Sequence, residues 1–237
     1  MNTITKGILK ICTYSGFASV CSVRKDGKTP WGTDVSFLEK FAAKHRLETE
    51  WTVLPKFEGI WQLPGKNSPP LYDIAAAGIT PTADREKESP GVVWSDVYFH
   101  VQRSFLIRTT DKDRFHTIFD LEGKKIAVTS DSTADLDFRV RHPKEFAVVY
   151  PPVQLKAVDD LLEGKIDAFG EGDVSNEYLA ALHPGLLTVI DKHDMTEGMS
   201  EPFSFPVRKD SDILDTLNRW LATPAKAGYL DIPELKQ

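Results

Sequence analysis

Cysteine is scarce in this chain: Cys12 and Cys21 are the only two in 237 residues. Neither a Cys-x-x-Cys pair nor a Cys/His ligand spacing occurs, so no metal is expected. Two thiols leave two readings open: a disulfide if the chain works in an oxidising compartment, or a pair of buried free thiols. Long apolar runs are missing as well. No stretch approaches the about 18 residues of a membrane-spanning helix. The segment Met1 to Lys10 has no long apolar core and no small-residue cleavage site. Either the protein is cytoplasmic or a signal peptide has been removed. Basic charge is not in excess: 29 Lys and Arg face 35 Asp and Glu, a net charge of -6. Nucleic-acid partners usually need a basic face, so none is expected. Gly-x-Gly-x-x-Gly, P-loop, His-Glu-x-x-His and Gly-x-Ser-x-Gly motifs are all absent, and no cofactor is expected.

What is present is an ordinary globular composition, 41% hydrophobic and 27% charged, with length enough for one large or two small domains. The most informative stretch runs from Asp73 to Arg85. Its apolar run Ile74-Ala75-Ala76-Ala77 reads as a buried strand that ends in a turn. Gly78 would let the backbone approach a ligand closely. Thr80 and Thr82 offer hydroxyls and backbone N–H groups. Arg85 carries a planar fork that matches a carboxylate. A strand, a turn and a surface arginine would explain the same residues, so the segment alone is a candidate site for a small carboxylate.

Elsewhere strands and helices alternate. Strands are expected at Ile8–Thr13 and Glu50–Leu54, with a hairpin between Tyr14 and Pro30. A helix is expected over Val35–His45, capped by Thr33-Asp34, and a short one over Phe57–Leu63. Gly65 to Pro70 reads as a polar surface loop. The alternation then recurs: strands at Arg103–Arg108, Lys125–Thr129, Phe146–Tyr150, Ile166–Gly170 and Leu187–Ile190. Between them, helices are expected from Ser132 or Asp131 to about Val140, over Val153–Glu163 and over Asn176–Leu182. Two similar α/β lobes with mainly parallel sheets follow.

Several segments resemble, in order, the bacterial extracellular solute-binding proteins of family 3. They are Trp31-Gly32-Thr33-Asp34-Val35, Phe57-Glu58-Gly59-Ile60, Tyr72-Asp73 through Arg85, Trp94-Ser95-Asp96-Val97-Tyr98-Phe99, Leu121 to Val128, Leu162 to Ala168, and Phe205 to Asp210. The resemblance spans about residues 8 to 230. It implies a type II two-lobe Venus-flytrap fold with two crossover hinge strands. Lobe 1 would hold 1–100 and 203–237, lobe 2 would hold 101–202, and ligand would bind in the cleft between lobes.

The resemblance also implies roles. Phe17 and Phe57 would sandwich the ligand side chain, with Trp61 and Tyr14 as weaker candidates. Gly78, Thr80 and Arg85 would take the α-carboxylate, at roughly 1.5–3 kcal/mol per charged hydrogen bond. Ser132 and Thr133 would add a helix N-terminus to the same anion. The acid that usually receives the α-ammonium falls on Gly172, so either Glu171, Asp173 or Asp131 takes that role or the ligand lacks a standard α-amino group. Asp131 stands where the family prefers glycine. Tyr14 stands where binders of cationic side chains often carry an acid, which favours a neutral or aromatic ligand. The implied function is capture of an amino acid or related small carboxylate in the periplasm, by a monomer that serves an ABC permease in the inner membrane. The alternative on the same fold is a cyclohexadienyl dehydratase-like lyase, with Glu171 or Asp173 as general acid.

Overall fold

A computed structural model describes residues 1–141, 147–151, 154–194 and 201–231. The chain divides into two compact units, Met1–His100 with Pro202–Gln237, and Val101–Glu201.

The first unit opens with strands β1 (Ile8–Tyr14), β2 (Gly16–Phe17), β3 (Cys21–Val23) and β4 (Pro30–Trp31). Helix α1 (Thr33–Lys44) and β5 (Glu48–Leu54) follow. Next come α2 (Leu63–Lys66), β6 (Ile74–Ala76), α3 (Ala83–Glu88) and β7 (Val92–Trp94). The chain leaves through β8 (Phe99–Val101). The second unit contains β9 (Arg103–Arg108), β10 (Lys125–Ala127), α4 (Thr133–Arg141) and β11 (Ala147–Val149). It continues with α5 (Gln154–Leu162), β12 (Ala168–Gly172), α6 (Asp173–Leu182) and β13 (Leu187–His193). The chain returns through β14 (Glu201–Phe203), which pairs with β8, to β15 (Pro206–Arg208) and α7 (Ile213–Leu221).

Each unit is built on a five-stranded mixed sheet. The orders are β5-β1-β6-β15-β7 and β11-β10-β12-β9-β13. In the first, β1 pairs in parallel with β5 and β6, while β15 runs antiparallel to β6 and β7. In the second, β10 pairs in parallel with β11 and β12, while β9 runs antiparallel to β12 and β13. Parallel neighbours need a crossover, and helices supply it.

Residue spacing explains the elements. Helix α1 buries Val35, Phe37, Leu38, Phe41 and Ala42, an apolar stripe at helical period. Each of the valine, leucine and phenylalanine side chains contributes about 1.5–3 kcal/mol when taken from water. Gly32 precedes the helix at φ 134°, and a Cβ there would lie 2.2 Å from the Val20 carbonyl oxygen. No other residue fits. In the first unit Phe37, Tyr98 and Phe205 stack, with Tyr98 and Phe205 centroids 4.0 Å apart. The second unit's core gathers Phe105, Ile107, Phe115, Ile126 and Phe138.

Three expectations change. Residues 63–66 are helical, and Gly65 packs backbone to backbone on Gly91, so a Cβ would meet Gly91 C at 2.4 Å. The expected loop Gly65–Pro70 is therefore shortened at its start, while residues 67–70 form the loop and 66–69 are exposed. Helix α6 begins at Asp173, three residues before the expected Asn176. Cys12 and Cys21 are both free and buried, and burial drives both thiols far above their ordinary pKa. The expected strand start at Phe146 and helix start at Val153 lie outside the described residues.

Candidate functional site

In the first unit the chain turns at Gly78, just past β6, with φ 58°. A Cβ there would lie 2.5 Å from Phe17 and 3.0 Å from Phe203. The glycine N–H donates to Asp34 Oδ2 at 2.7 Å. Gly78 was expected to leave room for a ligand. The structure corrects that reading, because the glycine makes room for two aromatic rings of the protein.

Thr80 and Arg85 come together as expected. Arg85 is only 3% exposed. Its Nη1 donates to the Thr80 carbonyl at 3.0 Å. The guanidinium lies over Trp61 at 4.5 Å and over Phe57 at 5.4 Å from the ring centroids. Such cation–π contacts are worth roughly 0.5–2 kcal/mol and orient the fork. Trp61 is held in turn by Glu88, which accepts its indole N–H at 3.3 Å. Thr82 serves as N-cap of α3, its Oγ1 accepting the Arg85 backbone N–H. Phe57 packs edge-on against Tyr14 at 6.0 Å, and Phe17 edge-on against Phe203 at 6.1 Å. Trp61 thus touches the guanidinium more closely than Phe57 does, although the sequence ranked it lower.

Asp34 is the residue most misread. It was expected to help cap α1. Instead Gly32 takes the N-cap position, with no side-chain cap. Asp34 is fully buried and accepts three hydrogen bonds of 2.7 Å, from Gly78 N–H, Tyr98 Oη and Tyr229 Oη. Burial pushes its pKa up to about 6, and the three donors pull against that rise.

In the second unit Ser132 Oγ accepts the Asp135 N–H at 3.2 Å, an ordinary N-cap for α4. The Asp131 amide donates to Asp135 Oδ2 and the Ser132 amide to Thr129 O. Of the N–H groups expected to face an anion, that of Ser132 is used within the chain. Asp131 adopts φ 57°, the conformation that favours glycine. Its carboxylate pairs with Arg139 at 3.2 Å, so it is drawn to a cation of its own.

The Thr133 side chain belongs to a buried polar cluster. Its buried hydroxyl accepts from Arg103 Nη2 at 2.7 Å and donates to Glu201 Oε1. Arg103 also donates to Glu201 Oε2, and its Nη1 stands 3.5 Å from Glu171 Oε1. Glu171 further accepts from Thr129 Oγ1 at 2.9 Å. One buried guanidinium therefore joins two buried carboxylates. Burial lowers the Arg103 pKa, and Glu171 opposes the shift. Asp173 Oδ1 accepts the backbone N–H groups of Gln102 and Val174. Glu171 and Asp173 are thus both engaged as hydrogen-bond acceptors within the chain. Arg103 and Glu201 escaped the sequence reading. They lie 98 positions apart, and neither sits in a motif.

Comparison with known proteins gives this arrangement a context. The family model "Bacterial extracellular solute-binding proteins, family 3" matches residues 9–232. A probable histidine-binding protein of Campylobacter jejuni is 27% identical over 207 residues, 84% of this chain and 73% of that protein. The ABC transporter arginine-binding protein 1 of Escherichia coli is 29% identical over 153 residues, 64% of this chain and 60% of that protein, so the match covers less than two thirds of its length. Among solved structures, an ancestral amino acid-binding protein, AncCDT-1, a precursor of cyclohexadienyl dehydratase, superposes with a TM-score of 0.80. It is 23% identical, with 95% of this chain and 93% of that one covered, and it supports the two-lobe type II fold. The chain belongs to the bacterial extracellular solute-binding proteins, family 3.

Proposed function

From that membership we propose that the protein captures an α-amino acid or a related small carboxylate. As a monomer in the periplasm, it would hand this ligand to the permease of an ABC importer. The observation that carries the reading is the Arg85 group. A buried guanidinium, anchored on the Thr80 carbonyl and laid over Trp61 and Phe57, suits a carboxylate attached to a flat or apolar side chain. The two units serve as the two lobes. Phe17, Phe57, Thr80 and Arg85 form the first lobe's share. Ser132, Glu171 and Asp173 are the second lobe's candidates, with Thr133 contributing through its backbone.

Two indications bear on the side chain. Tyr14, packed on Phe57, favours a neutral or aromatic ligand. The relatives carry names for histidine and arginine binding. Histidine meets both, being aromatic and neutral above its ordinary pKa. It is therefore the first ligand to test.

The experiment is a thermal-shift screen of the twenty amino acids plus prephenate and arogenate, on protein unfolded, dialysed and refolded to remove bound ligand. A bound ligand raises the melting temperature by mass action. A shift with L-histidine or a related amino acid, without turnover, supports the proposal. Turnover of prephenate or arogenate, or silence with all twenty amino acids, overturns it.

A further inference from the structure

We propose that Asp34 is a positioning residue for ligand capture: its carboxylate fixes the turn that carries Thr80 and leads to Arg85, and ties that turn to Tyr98 and Tyr229. The inference rests on the functional reading above and goes beyond it, because Asp34 itself is not offered as a ligand contact.

The geometry is specific. Gly78 is the last residue before Ile79-Thr80, and its N–H points at Asp34 Oδ2 at 2.7 Å. The other oxygen, Oδ1, accepts from Tyr98 Oη and Tyr229 Oη, each at 2.7 Å. Tyr98 directly precedes β8, through which the chain leaves the first unit. Tyr229 belongs to the returning C-terminal segment, and its ring packs on Tyr98 and Phe99. One carboxylate therefore connects a candidate binding turn, the start of the outgoing crossover and the C-terminal segment. A buried carboxylate with three short donors holds its partners in one geometry, because releasing any of them leaves a buried polar group unsatisfied. Helix capping alone would need no such partners.

The groups around Asp34 define its titration. Cys21 faces it from β3, Thr33 lies beside it at the start of α1, and Tyr98 and Tyr229 close the other sides. Burial and the carboxylate raise the pKa of both tyrosines and of Cys21, so these groups stay protonated across the range where Asp34 titrates. A proton on Asp34 removes one acceptor site and loosens the hold on Gly78.

Two measurements test the inference. The first is the amide resonance of Gly78 in ligand-free protein, followed by NMR from pH 4.5 to 7.5. It should titrate with a midpoint near 6 in wild type and stay flat in Asp34→Asn, whose amide can still receive the Gly78 N–H and donate to the tyrosines. The second is calorimetric affinity for L-histidine and L-arginine. Asp34→Ala should lose at least tenfold, and Tyr229→Phe about threefold. Asp34→Asn should stay within about threefold of wild type. A flat Gly78 resonance in wild type overturns the inference, as does wild-type affinity in a folded Asp34→Ala or Tyr229→Phe protein. Should Asp34→Ala not fold, the Gly78 titration and Tyr229→Phe decide. Failure of the wild type to bind any amino acid would instead overturn the functional reading.

Discussion

Each unit buries an arginine, and the described contacts of the two differ in kind. The described contacts of Arg85 include the Thr80 carbonyl and the faces of Trp61 and Phe57. Arg103 is gripped by Glu201 and Thr133 and faces Glu171. An aromatic face orients a guanidinium, and a carboxylate both orients and neutralises it. The same side chain on two sheets of like topology thus serves recognition in one proposal and cohesion in the other. Burial of a charge says little by itself, and the chemistry of the partners decides its use.

The sharpest way to break the comparison is Arg103→Met. It leaves Glu171 and Glu201 buried near each other without their cation. Breaking a buried pair costs about 3–5 kcal/mol, so urea unfolding at pH 7 should show a loss of that size. A variant as stable as wild type would show that the triad contributes no cohesion.

Asp34 gives the next largest effect. Its folded pKa of about 6 lies above the ordinary 3.8. A raised carboxylate pKa contributes stability that is full below 3.8 and is lost as pH rises through 6. Across that window wild type should lose about 3 kcal/mol relative to Asp34→Asn, from 1.36 kcal/mol per unit. Parallel pH–stability curves for the two proteins would contradict this environment for Asp34.

Gly78→Ala should cost about 1–3 kcal/mol, because a Cβ at φ 58° meets Phe17 and Phe203. Thermal melting measures it. A neutral substitution would mean that the rings move aside readily. The smallest effect concerns the thiols. With Cys12 and Cys21 free and buried, a reductant should leave the melting temperature unchanged. A thiol reagent should modify both residues only after unfolding. A reductant-dependent melting point would point to a disulfide.

These features were not equally legible in the sequence. The alternation of strands and helices was, because apolar residues recur at periods of two and 3.6 within single elements. Helix α1 follows from Val35, Leu38, Phe41 and Ala42 alone. The Gly78 turn and the Thr80–Arg85 pairing were legible for the same local reason. Asp34 was not. A local capping rule competed with partners 44, 64 and 195 positions away, and the tertiary partners won. Arg103 stands at the edge of the run Arg103–Arg108, where the sequence alone marks only the start of a strand. Its meaning depends on Glu201, Thr133 and Glu171, none of which is near it in sequence. Asp131 carried a usable signal, since an aspartate where the family prefers glycine suggested the left-handed backbone that the structure contains.

The most direct measurement is calorimetric titration of refolded wild type and Arg85→Ala with L-histidine. If L-histidine gives no heat, the ligand of largest thermal shift among the twenty amino acids replaces it. The account predicts one saturable site in wild type and a loss of about a hundredfold or more in Arg85→Ala, while the variant keeps its cooperative melt. That is roughly the 3 kcal/mol expected for removing the charged hydrogen bonds of a guanidinium–carboxylate pair. Equal affinity in the two proteins, or no amino acid bound by wild type, would contradict the assignment of Arg85 as carboxylate receptor.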